Sequence, residues 1–183
     1  MKKIIVLLTM LMVVMVCNAQ EKKDVTKFMG IPVDGTKSEM IQKLKAKGFT
    51  YDVKLDCLKG EFNGSDVILV INTDKGKVCS ITVVMGGFTG YDESLAKIVF
   101  NSLSQEFEKN PKYVTYESHL IEEDEDISYE MSVNSKSYIN IYLQNGDKMK
   151  PVMMTILTIR RTYNYNIGIL YYNEYNSSNG EDL

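Results

Sequence analysis

Few residues of this chain have the type and spacing that enzymatic chemistry needs. His119 is the single histidine, so a Ser–His or Cys–His couple would have to use it, yet it stands beside an acidic run. Ser94 and Lys97 have the Ser-x-x-Lys spacing of penicillin-recognising enzymes, but the companion Ser-Asp-Asn and Lys-Thr-Gly elements are absent. Without a convergent set of titratable groups, the sequence predicts a protein that is not an enzyme.

Residues 122–126 (Glu-Glu-Asp-Glu-Asp) form an acidic run that could offer oxygen ligands to calcium. The run lacks the alternating spacing and the glycine of a calcium-binding loop, which favours a solvated acidic loop. Cys57, Cys79 and His119 are too few ligands for a structural zinc site. The sequence therefore predicts no metal site and no cofactor.

Tyrosines crowd the last third of the chain, and aromatic side chains with polar neighbours suit the recognition of sugars or peptides. Tyrosine is also an ordinary strand residue, so a plain sheet surface is the competing interpretation. On the recognition hypothesis, this region would bind a glycan or another small molecule. The candidate binding residues are Tyr138, Asn140, Tyr142, Arg160, Tyr163 and Tyr165.

The N-terminus has the parts of a bacterial signal peptide. Two lysines precede an apolar run over residues 4–16, and the small residues Cys17 and Ala19 follow it. The run is shorter than the roughly 18 to 20 residues that a membrane-spanning helix needs. We expect a signal peptide over residues 1–19, a periplasmic or secreted mature protein and no membrane span in that mature form. A lipoprotein acylated at Cys17 is less favoured, because Val16 stands where that signal normally has a small residue.

The charge of the mature chain argues against nucleic acid as a partner. Loss of Lys2 and Lys3 lowers the basic residues from 21 to 19, against 24 acidic residues. The net charge then moves from −3 to near −5, which leaves no basic footprint for a phosphate backbone or an anionic membrane.

A first helix is predicted from its two ends. Thr36 and Glu39 have the spacing of a capping box, which begins the helix. Gly48 suits a left-handed C-cap, which would fold Phe49 back onto Leu44. The residues expected on its buried face are Met40, Ile41 and Leu44.

A second, longer helix is predicted between Asp92, which is a good N-cap, and Asn110-Pro111, which cannot continue a helix. Apolar residues recur between these limits at helical spacing. The residues expected on its buried face are Leu95, Ile98, Val99, Leu103 and Phe107.

An antiparallel meander is predicted from residues 57–63, 66–73 and 77–86, which are separated by two tight turns. If the turns set the register, alternate residues form one apolar face. Cys79 falls on this core face and Cys57 on the other, two strands apart, so we expect no disulfide between them. In this register Leu58, Gly60 and Phe62 lie opposite Ile71, Leu69 and Val67, and these lie opposite Cys79, Ile81 and Val83. All nine are expected on the core face, whereas Ile68, Val70 and Val84 point the other way.

Four strands are predicted in the last third, over residues 127–133, 137–144, 152–160 and 167–175. The first two would form a hairpin with one apolar and one polar face, as in a half-buried sheet. Tyr138, Asn140 and Tyr142 fall on the polar face and are expected to be open to solvent. Residues 176–183 are expected to be a flexible tail. The pairs expected on the apolar face are Met131–Ile139, Tyr129–Ile141 and Ile127–Leu143.

These elements predict one α+β domain over residues 20–175, built from two fused units at about 28–88 and 89–175. Each unit reads as a helix followed by an antiparallel meander, an αβββ pattern used twice. The helices would pack on one face of the sheet and leave the other face open. We expect this open face to bind an unknown protein partner. The alternatives are that the second unit of the same chain covers this face, or that another copy of the chain covers it in a homo-oligomer.

A resemblance to known proteins is confined to one segment near the N-terminus. Its residues are Phe28-Met-Gly-Ile-Pro-Val-Asp-Gly-Thr36, followed by Met40, Leu44 and Lys47-Gly48-Phe49. This segment resembles the opening of a group of uncharacterised secreted proteins from anaerobic Gram-negative bacteria. It is more distantly similar to the helix–meander repeat of the β-lactamase-inhibitor-protein-like fold. The resemblance implies a periplasmic or secreted location, and it carries over no activity and no binding residue.

Overall fold

The computed structural model describes residues 24–159 and 164–177, which form an α+β fold around one large antiparallel sheet. Among these residues the α-helices are α1 (Lys37–Lys45), α2 (Glu93–Lys109) and α3 (Ile127–Ser132), and Glu174–Asn176 form a turn of 3-10 helix. The strands are β1 (Lys27–Phe28), β2 (Ile31–Pro32), β3 (Thr50–Asp52), β4 (Cys57–Phe62), β5 (Ser65–Asp74), β6 (Lys77–Met85), β7 (Tyr113–Glu117), β8 (Ile139–Gln144), β9 (Pro151–Ile159) and β10 (Asn164–Tyr172).

The large sheet has eight strands in the order β3-β4-β5-β6-β10-β9-β8-β7, and β1 and β2 form a separate hairpin. In each half of the chain a helix, α1 or α2, precedes four strands that run inward from an edge, with α3 inserted after β7. The halves meet where β6 pairs with β10. Each half thus has one strand more than the αβββ pattern. The additional strands are the short edge strands β3 and β7, which the sequence did not predict because they lack a clear alternation of apolar and polar residues. The second half continues the sheet of the first and does not fold over it.

The first predicted helix is confirmed at both ends. The Glu39 amide donates to Thr36 Oγ1 at 3.3 Å, and the Thr36 amide donates to Glu39 Oε2 at 2.9 Å, which closes the capping box. At the other end Gly48 has a φ of +100°, and the Phe49 amide donates to the Leu44 carbonyl at 3.2 Å, as in a Schellman motif. The side chains buried here are Met40, Leu44 and Phe49, with Ile41 half-buried.

The second predicted helix has the expected ends but turns a different face to the core. The Leu95 amide donates to Asp92 Oδ1 at 2.8 Å, and Asn110 follows the last helical residue. Leu95 and Ile98 are 43% and 64% exposed, so their expected place in the core is wrong. The face with the large ring of Phe100 is buried instead, and small residues beside it let the helix lie close to the sheet. Its buried residues are Ala96, Phe100, Leu103, Ser104 and Phe107.

The first meander has a register that differs by two residues from the predicted one. Its turns are Asn63-Gly64 and Lys75-Gly76, and both residues of each turn have positive φ, the geometry of a two-residue hairpin loop. Leu58 therefore lies opposite Leu69 rather than Ile71. Because a shift by an even number of residues preserves the faces, the apolar set stays on the core side.

A β-bulge beside Asn72 and Thr73 changes the expected place of one cysteine. β6 has one extra residue there, so Val78 occupies the core position and Cys79 is half-buried beside it. The expected core placement of Cys79 is therefore wrong. Cys57 is buried, both cysteines are free thiols, and burial raises the pKa of each.

Helix α3 (Ile127–Ser132) lies where the sequence predicted a strand over residues 127–133. Asp126 caps α3, with its Oδ1 accepting from the Tyr129 amide at 2.8 Å. The neighbour of β8 is instead β7, which places Val114 opposite Leu143. The predicted hairpin between residues 127–133 and β8 is therefore wrong.

The C-terminal strand ends earlier than predicted, at Tyr172, and the chain after it is held in place. Asn176 Nδ2 donates to Asp34 Oδ1 at 2.8 Å and to the Val78 carbonyl at 2.9 Å. The expected tail over residues 176–183 is therefore wrong for Asn176, and residues 178–183 lie outside the described ranges.

The described helices bury their apolar residues on one face of the sheet, in a single core that spans both halves. Phe28 of the β1–β2 hairpin contacts Phe62 of the first half and Tyr171 of the second, with ring centroids 5.3 and 5.0 Å apart. No helix in the described part of the chain is long and apolar enough to cross a membrane. The predicted signal peptide, with Cys17, falls outside that part.

Candidate binding surfaces

The candidate tyrosine surface lies under α2 and not on the open face of the sheet. Asn140 and Tyr142 have no exposed surface, and Tyr138 retains 6%. Their expected exposure to solvent is wrong, because β8 pairs with β7 and these side chains point towards α2. Tyr165 is also buried, whereas Arg160 and Tyr163 lie outside the described ranges.

Two of these side chains fasten β8 to its surroundings. Tyr142 stacks on Phe107 of α2, with ring centroids 4.5 Å apart and planes 10° from parallel. Asn140 Nδ2 donates to Ser104 Oγ at 2.8 Å and to the His119 carbonyl at 3.1 Å, and its Oδ1 accepts from the His119 amide at 2.9 Å. These contacts account for a polar residue inside the core.

Tyr138 joins β8 to the acidic loop. Its hydroxyl donates to Glu125 Oε1 at 2.5 Å, and Lys136 forms an ion pair with the same carboxylate. Lys136, and then Tyr138, hold the pKa of Glu125 below its usual value, while burial and then Glu125 raise the pKa of Tyr138. Glu125 is therefore an ionised anchor at neutral pH and not a proton donor.

The residues considered for catalysis or calcium binding lie apart from one another in the second half. His119 has a side chain 74% exposed and lies 3.3 Å from Glu117 Oε1. Lys97 Nζ donates to the Glu123 carbonyl at 2.9 Å and lies 3.8 Å from the Glu93 carboxylate, which ties the acidic loop to α2. Within residues 24–159 and 164–177, no three His, Cys, Asp or Glu side chains converge as a metal site.

The face of the sheet opposite the helices carries two rows of mostly apolar residues. Each row crosses the five strands β5, β6, β10, β9 and β8, a width of about 19 Å at the usual strand spacing. Apart from the buried Gly168, these residues are half-buried, and the described helices lie on the other face. The rows are Ile68–Val84–Gly168–Thr155–Ile139 and Val70–Thr82–Leu170–Met153–Ile141.

Part of this open face was predicted and part was not. Ile68, Val70 and Val84 lie on it, as expected from the first meander. Met153 and Leu170 lie beside them, although the sequence analysis assigned neither residue to this face. The signal was present, since β9 and β10 carry apolar residues at consecutive positions and so are apolar on both faces.

Comparisons with known proteins provide no family for this chain. No protein-family model matches it, and no curated protein or solved structure matches it significantly. Its function therefore has to be inferred from the chemistry of its own surfaces.

Proposed function

We propose that this protein is a non-catalytic binding module of the periplasm or the extracellular medium, and that it engages a protein partner through the open face of its sheet. The observation that carries the proposal is the pair of apolar rows across five strands with every described helix on the opposite face. Contiguous apolar surface of this kind marks an interaction site more often than scattered apolar residues do.

The surroundings of the open face suit a protein interface with an apolar centre and a polar rim. Beyond the centre, the same face carries the exposed side chains of Lys59, Glu61 and Asn72. At one end the Lys59 ammonium lies 5.2 Å from the centroid of the Phe88 ring, which is 61% exposed. This cation–π pair places a ring and a positive charge beside the apolar centre of the face.

A duplicated helix–meander unit remains part of the proposal, together with the distant similarity to the β-lactamase-inhibitor-protein-like fold. The two halves approach the central β6–β10 pair in the same order from opposite edges, which supports a duplication. Such a plan would present one broad sheet surface to a partner. A glycan-binding function has weaker support, because the described tyrosines of the candidate set are buried.

The test is a cross-linking pull-down of the mature protein from the envelope and medium of its host, with a photo-crosslinking residue at Glu61, an exposed position beside the apolar rows on the same face. We expect one stoichiometric partner. The double variant Ile68→Thr/Val70→Thr should lower its capture about tenfold or more, as expected for central contacts. Its free energy of unfolding should change by only about 1 kcal/mol, because threonine keeps the β-branched shape that strands favour.

The control variant is Val53→Thr, which changes a side chain that is 78% exposed in the loop after β3. It should leave capture unchanged. If only this protein itself is recovered, the open face binds a second copy of the chain and not a different protein. Loss of stability in the double variant with normal capture would contradict a role of this face in binding.

A further inference from the structure

A second site lies on the helix side of the sheet, between the C-terminal turns of α2 and the β1–β2 hairpin. It is a cavity of about 280 Å³, at the small end of the sizes known for ligand pockets. Its floor belongs to β10, so the cavity is separated from the open face by the sheet itself. Its lining residues are Met29, Phe62, Asn63, Leu103, Glu106, Phe107, Asn110, Tyr113, Ile169 and Tyr171.

Aromatic rings dominate the wall of this cavity. Phe107 and Tyr113 meet edge to face, with centroids 4.8 Å apart and planes at 79°. Phe28, behind the lining, contacts both Phe62 and Tyr171 and holds their rings in place. Because an aromatic ring presents a negative face, several rings around one cavity attract a cation that has been partly stripped of water.

The charge at the cavity has one sign. Glu106 is the single charged residue of the lining, and Asn63 Nδ2 donates to its Oε2 at 2.7 Å, which orients the carboxylate. Glu106, Phe107 and Asn110 also belong to the end of α2, where the helix dipole is negative. Burial raises the pKa of Tyr171 well above its usual value, so its ring is a neutral phenol at physiological pH.

We propose that this cavity binds a small organic cation, namely a methylated or quaternary ammonium group on a short apolar body. The ammonium group would lie among the aromatic rings near Glu106, as in the aromatic cages that recognise choline-like ligands. The apolar body would contact Leu103, which keeps 6% of its surface exposed at the cavity wall. Met29, at the tip of the β1–β2 hairpin and 37% exposed, has a flexible side chain that can adapt to the ligand. This site does not depend on the proposed protein-binding face.

The test is a titration of the mature protein with choline, at constant ionic strength, followed by the NMR signals of the Met29, Leu103 and Ile169 methyl groups. The neutral analogue 3,3-dimethyl-1-butanol has the same shape without the charge. We expect saturable shifts with choline, and an affinity at least about fivefold higher than for the neutral analogue, the factor that one cation–π contact supplies.

Two variants on the same helix separate the site from general electrostatics. Glu106→Gln keeps the shape of the side chain and should weaken choline binding at least about fivefold. Glu108→Gln removes the same charge two residues away, where the carboxylate accepts from Ser118 Oγ at 2.7 Å, and should change the affinity less than about twofold. Equal binding of the neutral analogue, equal effects of the two variants, or no saturable shift up to about 100 mM choline would overturn the proposal.

Discussion

Asn140 shows how a single polar residue can report which face of a strand is buried. Its side-chain amide satisfies the backbone N–H and C=O of His119 and the hydroxyl of Ser104, so it joins β8, the segment after β7 and α2. The sequence placed this residue among solvent-facing tyrosines, since asparagine is usually exposed. A fully buried amide with three partners is instead a structural joint, and its removal leaves those partners unpaired.

Asn140→Ala is therefore expected to lower the free energy of unfolding by roughly 2 to 4 kcal/mol, from lost hydrogen bonds and a small cavity. Urea denaturation measures the change. The matched control is Asn134→Ala, at an exposed asparagine that donates to the Glu130 carboxylate, and it should cost less than about 0.5 kcal/mol. Equal losses of unfolding free energy in the two variants would indicate that the Asn140 side chain is exposed to solvent.

At the scale of elements, α2 presents a choice between two overlapping apolar stripes. Leu103 and Phe107 belong to both, whereas Ile98 belongs to the predicted stripe and Phe100 to the observed one. The helix has the same ends and the same caps in either case. The two stripes differ only in which of them contacts β9 and β10, and that depends on how the helix packs on the sheet.

The variant pair Ile98→Ala and Phe100→Ala tests this orientation. Ile98 is 64% exposed and alanine is the better helix former, so Ile98→Ala should leave the unfolding free energy within about 0.5 kcal/mol. Phe100 is 1% exposed, and its truncation should cost roughly 3 to 5 kcal/mol. The milder Phe100→Leu gives a measurable value if the alanine variant does not fold. A large loss at Ile98 would contradict the observed face.

At the scale of the whole molecule, the two halves share one sheet and one core. β6 pairs with β10 over residues 80–85 and 167–172, and Asn173 Nδ2 donates to the Val33 carbonyl at 2.7 Å across the same boundary. Neither half therefore buries its apolar residues alone. The open face is also a property of the whole, because its two rows require strands from both halves.

We expect both halves to unfold in one cooperative transition. With 3-fluorotyrosine incorporated, the fluorine signals of Tyr51 in the first half and Tyr116 in the second should follow the same urea midpoint and the same slope. The reason is the shared core, in which Phe28 contacts rings of both halves. Two separate midpoints would show that the halves are independent units.

Features decided by neighbours along the chain could be predicted from the sequence. The capping box of Thr36 and Glu39, the C-cap at Gly48 and both ends of α2 are held by hydrogen bonds between residues a few positions apart. Hairpin registers were nearly as accessible. In the first hairpin the predicted strands 57–63 and 66–73 put the turn at residues 64–65, whereas the structure has it at Asn63-Gly64, which shifts the register by two residues.

The tertiary structure alone decided which sides of these elements are buried. In β8 the partner strand β7 and the helix α2 turn Tyr142 inward, whereas the alternation within residues 137–144 favours the reverse, with Ile139 and Ile141 inward. The same holds for Ile98 and Phe100 on α2. The open face and the Glu106 cavity each combine residues about 100 positions apart, so they exist only after β6 has paired with β10. Local hydrogen bonds determine where an element begins and ends, whereas the burial of its faces depends on contacts that close only in the folded chain.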